Sequence, residues 1–319
     1  MTIKINGSWF EFQHHNVKEG VYWNPAFRQM TAVQWENLVA EIAAAGMEYL
    51  VLLSVAQDVK AYYPSKLVPR FPMADPNLDL VETFLSACDK YHLKVFMPND
   101  YFGQWDDMNS MFGSPEVRRL RDAATDEIFA MYGHHPSFYG WYLPNEAAVT
   151  PYFAPEFIQY VNYNRTRFRN LAPEKPLLIA PYGTCIMRTD DTYVKQLEQL
   201  DADIFAYQDE IGVQKADVSQ TAKFFENLRK AHNKVGGKAL WADVEVFEFE
   251  GKVYHSALLP AKFERVKQQL QNVAPFVDRI LIYEYPGLIN PANSSAYNAQ
   301  PGAAELYDEY MKFIHNNQL

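Results

Sequence analysis

Cysteine is scarce in this chain: Cys88 and Cys185 are the only two in 319 residues. They lie far apart, with no CxxC or Cys/His spacing, so neither a disulfide framework nor a thiolate metal centre organises the fold. Both are expected reduced, with Cys88 packed in a helix. No apolar run approaches the roughly 20 residues that span a bilayer. No Lys/Arg-rich run occurs either. The formal net charge is −10, from 39 acids and 29 bases. Phosphate neutralisation needs a basic patch, so nucleic acid and anionic membrane surfaces are disfavoured as partners. There is no low-complexity stretch and no linker. The start, Met1-Thr2-Ile3-Lys4-Ile5, lacks the charged-then-apolar pattern of a secretory signal. A cytoplasmic location is the expectation. Nothing in the pattern fixes an oligomeric state.

What is present is apolar and ring-rich. Hydrophobic residues make up 48% of the chain and aromatics 15%, enough for a sizeable core. Short β-rich runs alternate with helical patterns along the whole length. Strands are expected at 5–12, 47–53, 93–97, 138–143, 177–182, 203–208, 238–246 and 279–285. Helices are expected to start at the Thr31 N-cap and to cover 78–91, 115–132, 155–171, 191–200, 219–234, 260–273 and 302–315. Thr31 and the Ser114-Pro115-Glu116 start are capping signals, and Gly46 suits the residue just past a helix end.

Eight strand–helix units of about 40 residues each fit an α/β fold, a single (β/α)₈ TIM barrel over 1–319. No Gly-rich turn follows the first strand, which removes the dinucleotide-binding alternative. The long segments 54–77, 99–113 and 286–301 are then βα loops, all on the rim that carries chemistry in such barrels.

The strand ends deliver many polar groups to that rim. They are Trp9 and Glu11, Asn99 and Asp100, Asn145 and Glu146, Tyr182, Tyr207 to Glu210, Trp241 with Asp243 and Glu245, and Tyr283 to Tyr285. So many acids at one mouth repel one another and lose hydration. Salt bridges with loop bases could absorb any one of them, but an entire ring is better suited to chemistry. In Tyr142-Leu143-Pro144-Asn145-Glu146, alternation places Glu146 on the face of Tyr142 and Asn145 on the other. In Trp241-Ala242-Asp243-Val244-Glu245-Val246-Phe247, the odd-numbered set faces the barrel interior, because acids facing the helix layer are costly. Two carboxylates across one mouth suit glycoside hydrolysis. One protonates the leaving oxygen, and the other attacks the anomeric carbon or activates water. Glu146 is the candidate acid. Trp9, Trp105 and Trp241 are candidate sugar platforms. Trp141 has core parity.

The Asn145-Glu146 dipeptide with Glu245 resembles the clan of retaining (β/α)₈ glycoside hydrolases. That resemblance implies Glu146 as acid/base after strand 4 and Glu245 as nucleophile on strand 7. Asp243 and Glu284 compete for the second role. Phe138-Tyr139-Gly140-Trp141-Tyr142, Tyr207-Gln208-Asp209 and the strand from Trp241 to Glu248 are similar to the DUF4434 family. This implies a glycosidase-like barrel with a carbohydrate substrate and no organic cofactor. Glu11, Asp100, Asn145, Tyr182, Tyr207, Gln208, Asp209, Asp243, Tyr283 and Glu284 then serve as substrate-binding candidates.

Rival chemistries fit less well. Histidine ligands are expected to be absent, since His14-His15 and His134-His135 read as loop or surface pairs with diverging side chains. Carboxylate-bound Mg²⁺ or Mn²⁺ through Glu146, Asp209, Glu245 and Glu284 stays open. Lys94, Lys175 and Lys238 sit at strand starts, the wrong end for a Schiff base. A barrel that binds glycan without cleaving it also stays open.

Overall fold

A computed structural model describes residues 3–99, 112–146, 148–294, 300 and 302–316. Eight parallel strands close into a barrel. They are β1 (Gly7–Phe10), β2 (Tyr49–Leu52), β5 (Lys94–Pro98), β6 (Phe138–Leu143), β7 (Leu177–Ile179), β8 (Ile204–Gln208), β9 (Ala239–Glu245) and β12 (Arg279–Tyr283). The sheet closes where β1 pairs with β12, Gly7 opposite Leu281. Helices follow the strands in the expected order. Thr31 forms a capping box with Gln34 ahead of the helix Ala32–Ala44, and Ser114 caps Pro115–Tyr132. Cys88 is buried in the helix Leu80–Lys90.

The strand pleat sorts the core into two layers. Trp9, Val51, Phe96, Tyr142, Leu178, Ala206, Trp241 and Leu281 fill the barrel interior. Phe10, Leu52, Met97, Trp141, Phe205, Tyr207 and Ile282 pack outward against the helices. This is the period of two expected of strands buried on both faces. At β6 the pairing with β5 shifts between Val95 and Phe96. Gly140 sits at that irregularity, where a Cβ would lie 2.6 Å from the Pro176 carbonyl and 2.7 Å from the Phe96 ring. A larger residue there would force the strands apart.

Two antiparallel hairpins interrupt the βα loops. β3 (Ala56–Gln57) pairs with β4 (Lys60–Ala61) after β2. β10 (Phe247–Phe249) pairs with β11 (Leu258–Pro260) after β9. The second hairpin begins where the sequence reading ran the barrel strand on to Val246 and opened a loop. Phe247-Glu248-Phe249 alternates like a strand, and its partner Leu258-Leu259-Pro260 returns after the longer connection 250–257.

Candidate active site

A hollow of about 310 Å³ opens at the carboxyl rim. Glu146, Tyr182, Gln208, Asp243, Glu245 and Tyr283 all line it. The ladder sets their levels: Gln208 pairs with Asp243, and Tyr283 with Glu245. Glu146 lies just beyond the end of β6, on the parity of the inward Tyr142. The β10–β11 hairpin walls one side with Phe247, Phe249 and Leu258, and Tyr254 comes from its turn.

The two glutamates sit in different surroundings. Loss of water pushes Glu146 up to about 7, against the Gln208 hydrogen bond and the nearby Lys215 charge. Burial also pushes Glu245 up, and the Asp209 charge adds to it, giving about 8. Backbone donors oppose that rise. The Val213 amide donates to Glu245 Oε2 at 2.8 Å, and the Gly212 amide also points at the carboxylate. Asp209 stands behind the strand. Its Oδ1 accepts from the Glu245 amide at 3.1 Å, and its Oδ2 accepts from Gln269 at 2.7 Å. Gln269 belongs to the helix Phe263–Val273 and is fully buried.

Several sequence candidates fall elsewhere, for reasons the pleat supplies. Trp9 and Trp241 are barrel filling: Trp9 meets Tyr142 edge-on at 6.0 Å, and Trp241 meets Tyr49 at 5.0 Å. Neither lines the hollow. Tyr207 faces the helices and hydrogen-bonds Tyr193 and His232 through its hydroxyl. Asn145 turns outward and donates to the Tyr160 hydroxyl at 3.0 Å. Asp209, on the same outward parity as Tyr207, contacts the strand backbone and Gln269 rather than the hollow. Asp100 and Trp105 lie outside the described residues.

Glu11 and Glu284 are buried and do not line the hollow. Glu284 meets the Glu11 and Asp243 charges, and burial, then Glu11, holds its carboxyl well above the ordinary range. Asp243 is likewise raised well above its usual value, by burial first, then by Glu245, Asp209 and Glu146. Its Oδ1 makes no hydrogen bond among the described residues.

Asp243 therefore links stability to pH. Its folded pKa exceeds its unfolded value near about 3.9, so the folded chain holds the proton more tightly. The stabilisation is complete below that unfolded value and is lost as pH rises towards the folded pKa. Asp243→Asn keeps the shape and removes the charge. Its melting temperature should match the parent near pH 4 and exceed it at pH 8 by several degrees, at about 2–4 °C per kcal/mol. An equal shift at both pH values would show that ionisation plays no part.

The histidine expectation fails for the first pair. The chain leaves β1 at Phe10 and bends at Phe12 and Gln13, so strand alternation no longer applies. His14 and His15 both line the hollow, their rings stacked with centroids 4.9 Å apart. His14 Nδ1 is 2.9 Å from Glu11 Oε1, and Nε2 is 3.0 Å from Glu19 Oε2. Burial disfavours the His14 cation, but these two carboxylates lift it to about 9. Burial and the His14 charge hold His15 down at about 3. Burial opposes the Glu11 charge, yet the His14 cation keeps its carboxyl below the ordinary value. The other pair lies away from the hollow, where His135 bonds Asp89 and Glu82 ahead of β6. The sequence reading also passed over Lys215, whose ammonium stands 5.0 Å from the Tyr182 ring centre at the edge of the hollow.

The barrel is shared with glycoside hydrolases. A candidate α-L-fucosidase from Bacteroides thetaiotaomicron VPI-5482 superposes with a TM-score of 0.77 at 19% identity, covering 98% of this chain and 94% of that one. The endo-β-1,4-mannanase of Thermotoga petrophila gives a TM-score of 0.62 at 10% identity, covering 100% of this chain and 78% of that one. The endo-1,4-β-mannanase of Rhizomucor miehei gives 0.60 at 8% identity, covering 98% and 95%. At such identities the likeness is one of fold. No curated protein matches the sequence significantly. The DUF4434 profile, described as a domain of unknown function, matches residues 5–295, and the chain belongs to that family.

Proposed function

We propose that the chain is a retaining glycoside hydrolase acting on an oligosaccharide or small glycoside, with Glu146 as general acid/base and Glu245 as nucleophile. The observation that carries this is the meeting of two glutamates, from the ends of β6 and β9, in one ring-walled hollow. Glu146 has the environment of an acid, with its proton retained towards neutral pH by lost hydration. Glu245 is aimed by the Val213 amide on its carboxylate and by Asp209 on its own backbone. An oriented carboxylate of this kind suits in-line attack, and Asp209 acts as a positioning residue behind it. Gln208, Tyr182 and Tyr283 supply donors and acceptors for sugar hydroxyls. The hairpin rings Phe249 and Tyr254 replace Trp9 and Trp241 as candidate platforms for a pyranose face.

The glycosidases that share the fold support a carbohydrate substrate as part of this reading. The test is turnover on a broad panel of aryl glycosides, with the product anomer followed by proton NMR. Hydrolysis with the starting anomer formed first is the expected result. First formation of the opposite anomer would move Glu245 from nucleophile to general base. Tight glycan binding without turnover by the parent protein would replace the enzyme with a binding barrel.

A further inference from the structure

The His14–His15 corner of the hollow has the donor set of a metal site. Glu11, His14 and His15 each offer one ligand atom, all within 4.8 Å of one another. Zn²⁺ bound by imidazole nitrogen and carboxylate oxygen keeps bond lengths of about 2.0–2.2 Å. Tetrahedral ligands at that length stand roughly 3.4 Å apart, inside this span. Glu11 and His14 are almost fully buried, so little chain entropy remains to be lost on coordination.

The surroundings already resemble an outer coordination shell. Metal-bound histidine usually passes its second N–H to a carboxylate, which fixes the ring and its tautomer. Here His14 Nε2 faces Glu19 Oε2 at 3.0 Å, leaving Nδ1 turned to Glu11 at 2.9 Å and to the Tyr283 hydroxyl at 3.3 Å. Glu19 is held in turn by Asn16, whose Nδ2 donates to Oε1 at 2.6 Å. The Trp23 indole donates to Glu11 Oε1 at 3.3 Å. Glu11 Oε2, in a side chain with no exposure, meets no donor besides the adjacent Glu284 carboxyl. Glu284 is equally enclosed, and its carboxyl, held protonated by burial and by the Glu11 charge, hydrogen-bonds Glu11. Two acids buried side by side are costly even when they share a proton, and a cation beside Glu11 would offset that cost.

We infer that Glu11, His14 and His15 form a site for one divalent transition-metal ion of the Zn²⁺ class, open to the hollow. Two imidazoles and one carboxylate favour Zn²⁺ over Mg²⁺ or Ca²⁺, which prefer all-oxygen shells. Coordination takes the place of the proton on His14 Nδ1. Glu19 keeps the ring oriented from outside. The side of the ion facing the hollow is left for a water or a substrate hydroxyl. The inference stands on this corner alone and does not require the hydrolase reading.

The experiment is zinc binding by the full chain after chelator treatment and dialysis, followed by calorimetry and by elemental analysis of the washed protein. One equivalent of Zn²⁺ is expected, together with a higher melting temperature. His15→Ala and Glu11→Gln should each weaken that step by 100-fold or more, and Glu19→Gln by roughly 10–100-fold. His134→Ala tests the second histidine group, Glu82 with His134 and His135, and should leave the step intact. Co²⁺ should give visible ligand-field bands with the parent and lose them in His15→Ala. Melting curves without metal identify any variant that has lost its fold, and the half-buried His15 is the substitution least exposed to that problem. Failure to retain one equivalent of zinc overturns the site. So does binding that survives His15→Ala or disappears with His134→Ala. Glycosidase assays enter none of these outcomes, so a failed hydrolase reading would leave them unaffected.

Discussion

Glu245→Ala is expected to lower kcat on any substrate of the parent by about 10⁴-fold or more, the scale on which removal of a covalent nucleophile acts. The variant removes a hollow-lining carboxylate that, alone among those of the described residues, is fixed by both a backbone amide on its oxygen and a buried acid on its own N–H. Substrate binding should change far less, because Tyr182, Gln208 and Tyr283 remain in place. Azide, small enough for the space left behind, should then restore turnover and yield a glycosyl azide of inverted anomeric configuration. That product identifies the face from which Glu245 attacks. Glu245→Gln should keep the fold and stay inactive, which separates loss of chemistry from loss of structure. If Asp243→Asn or Glu284→Gln instead produced the azide-rescuable defect, the nucleophile would be reassigned. Glu284 is fully buried and does not line the hollow, which argues against it in advance.

The fold was largely legible because its signals are local and repeated. Thr31 and Ser114 cap the helices they were expected to cap. The expected strand 138–143 matches β6, and the helix from Pro155 ends where its pattern ends. The site was legible only where strand parity still holds. Parity set Glu146 opposite Asn145 and put Asp243 and Glu245 on the inward face. It could not give depth. Trp9 and Trp241 point inward as expected but sit a layer too low, in the packed barrel interior. Tyr207 and Asp209 take the parity opposite to the inward Gln208. Their outward placement follows from the same alternation that served β9. His14 and His15 lie beyond β1, where the backbone bends and period-two reasoning has nothing to act on. The β10–β11 hairpin depends on pairing between residues separated by a turn. Its contribution of Phe249 and Tyr254 to the hollow is a tertiary fact that no local window contains.

Glu146→Ala should show a loss that depends on the leaving group. For poor leaving groups such as a second sugar, kcat/KM should fall by about 10²–10⁴-fold, the usual contribution of general acid catalysis. For a 2,4-dinitrophenyl glycoside, which departs without a proton, the formation of the glycosyl-enzyme should be almost unaffected. Its breakdown should then limit turnover, because the same residue activates the incoming water. The pH profile gives the second signature. With Glu146 pushed to about 7 and Glu245 to about 8, the pair is singly protonated only in a narrow range, and the reactive form, with the proton on Glu146 rather than Glu245, is its minor tautomer. The parent's kcat/KM should be a narrow bell, its two limbs being macroscopic properties of the pair. Activity falls on the acidic side as the doubly protonated pair forms and on the alkaline side as the doubly ionised pair forms. Removing Glu146 should abolish the alkaline limb for the dinitrophenyl substrate and leave the acidic one. The limb that remains is the ionisation of Glu245 itself, at about 8. An alkaline limb that persists in Glu146→Ala would mean that another group supplies the proton. Tyr182 and Lys215, both at the edge of the hollow, would be the residues to substitute next.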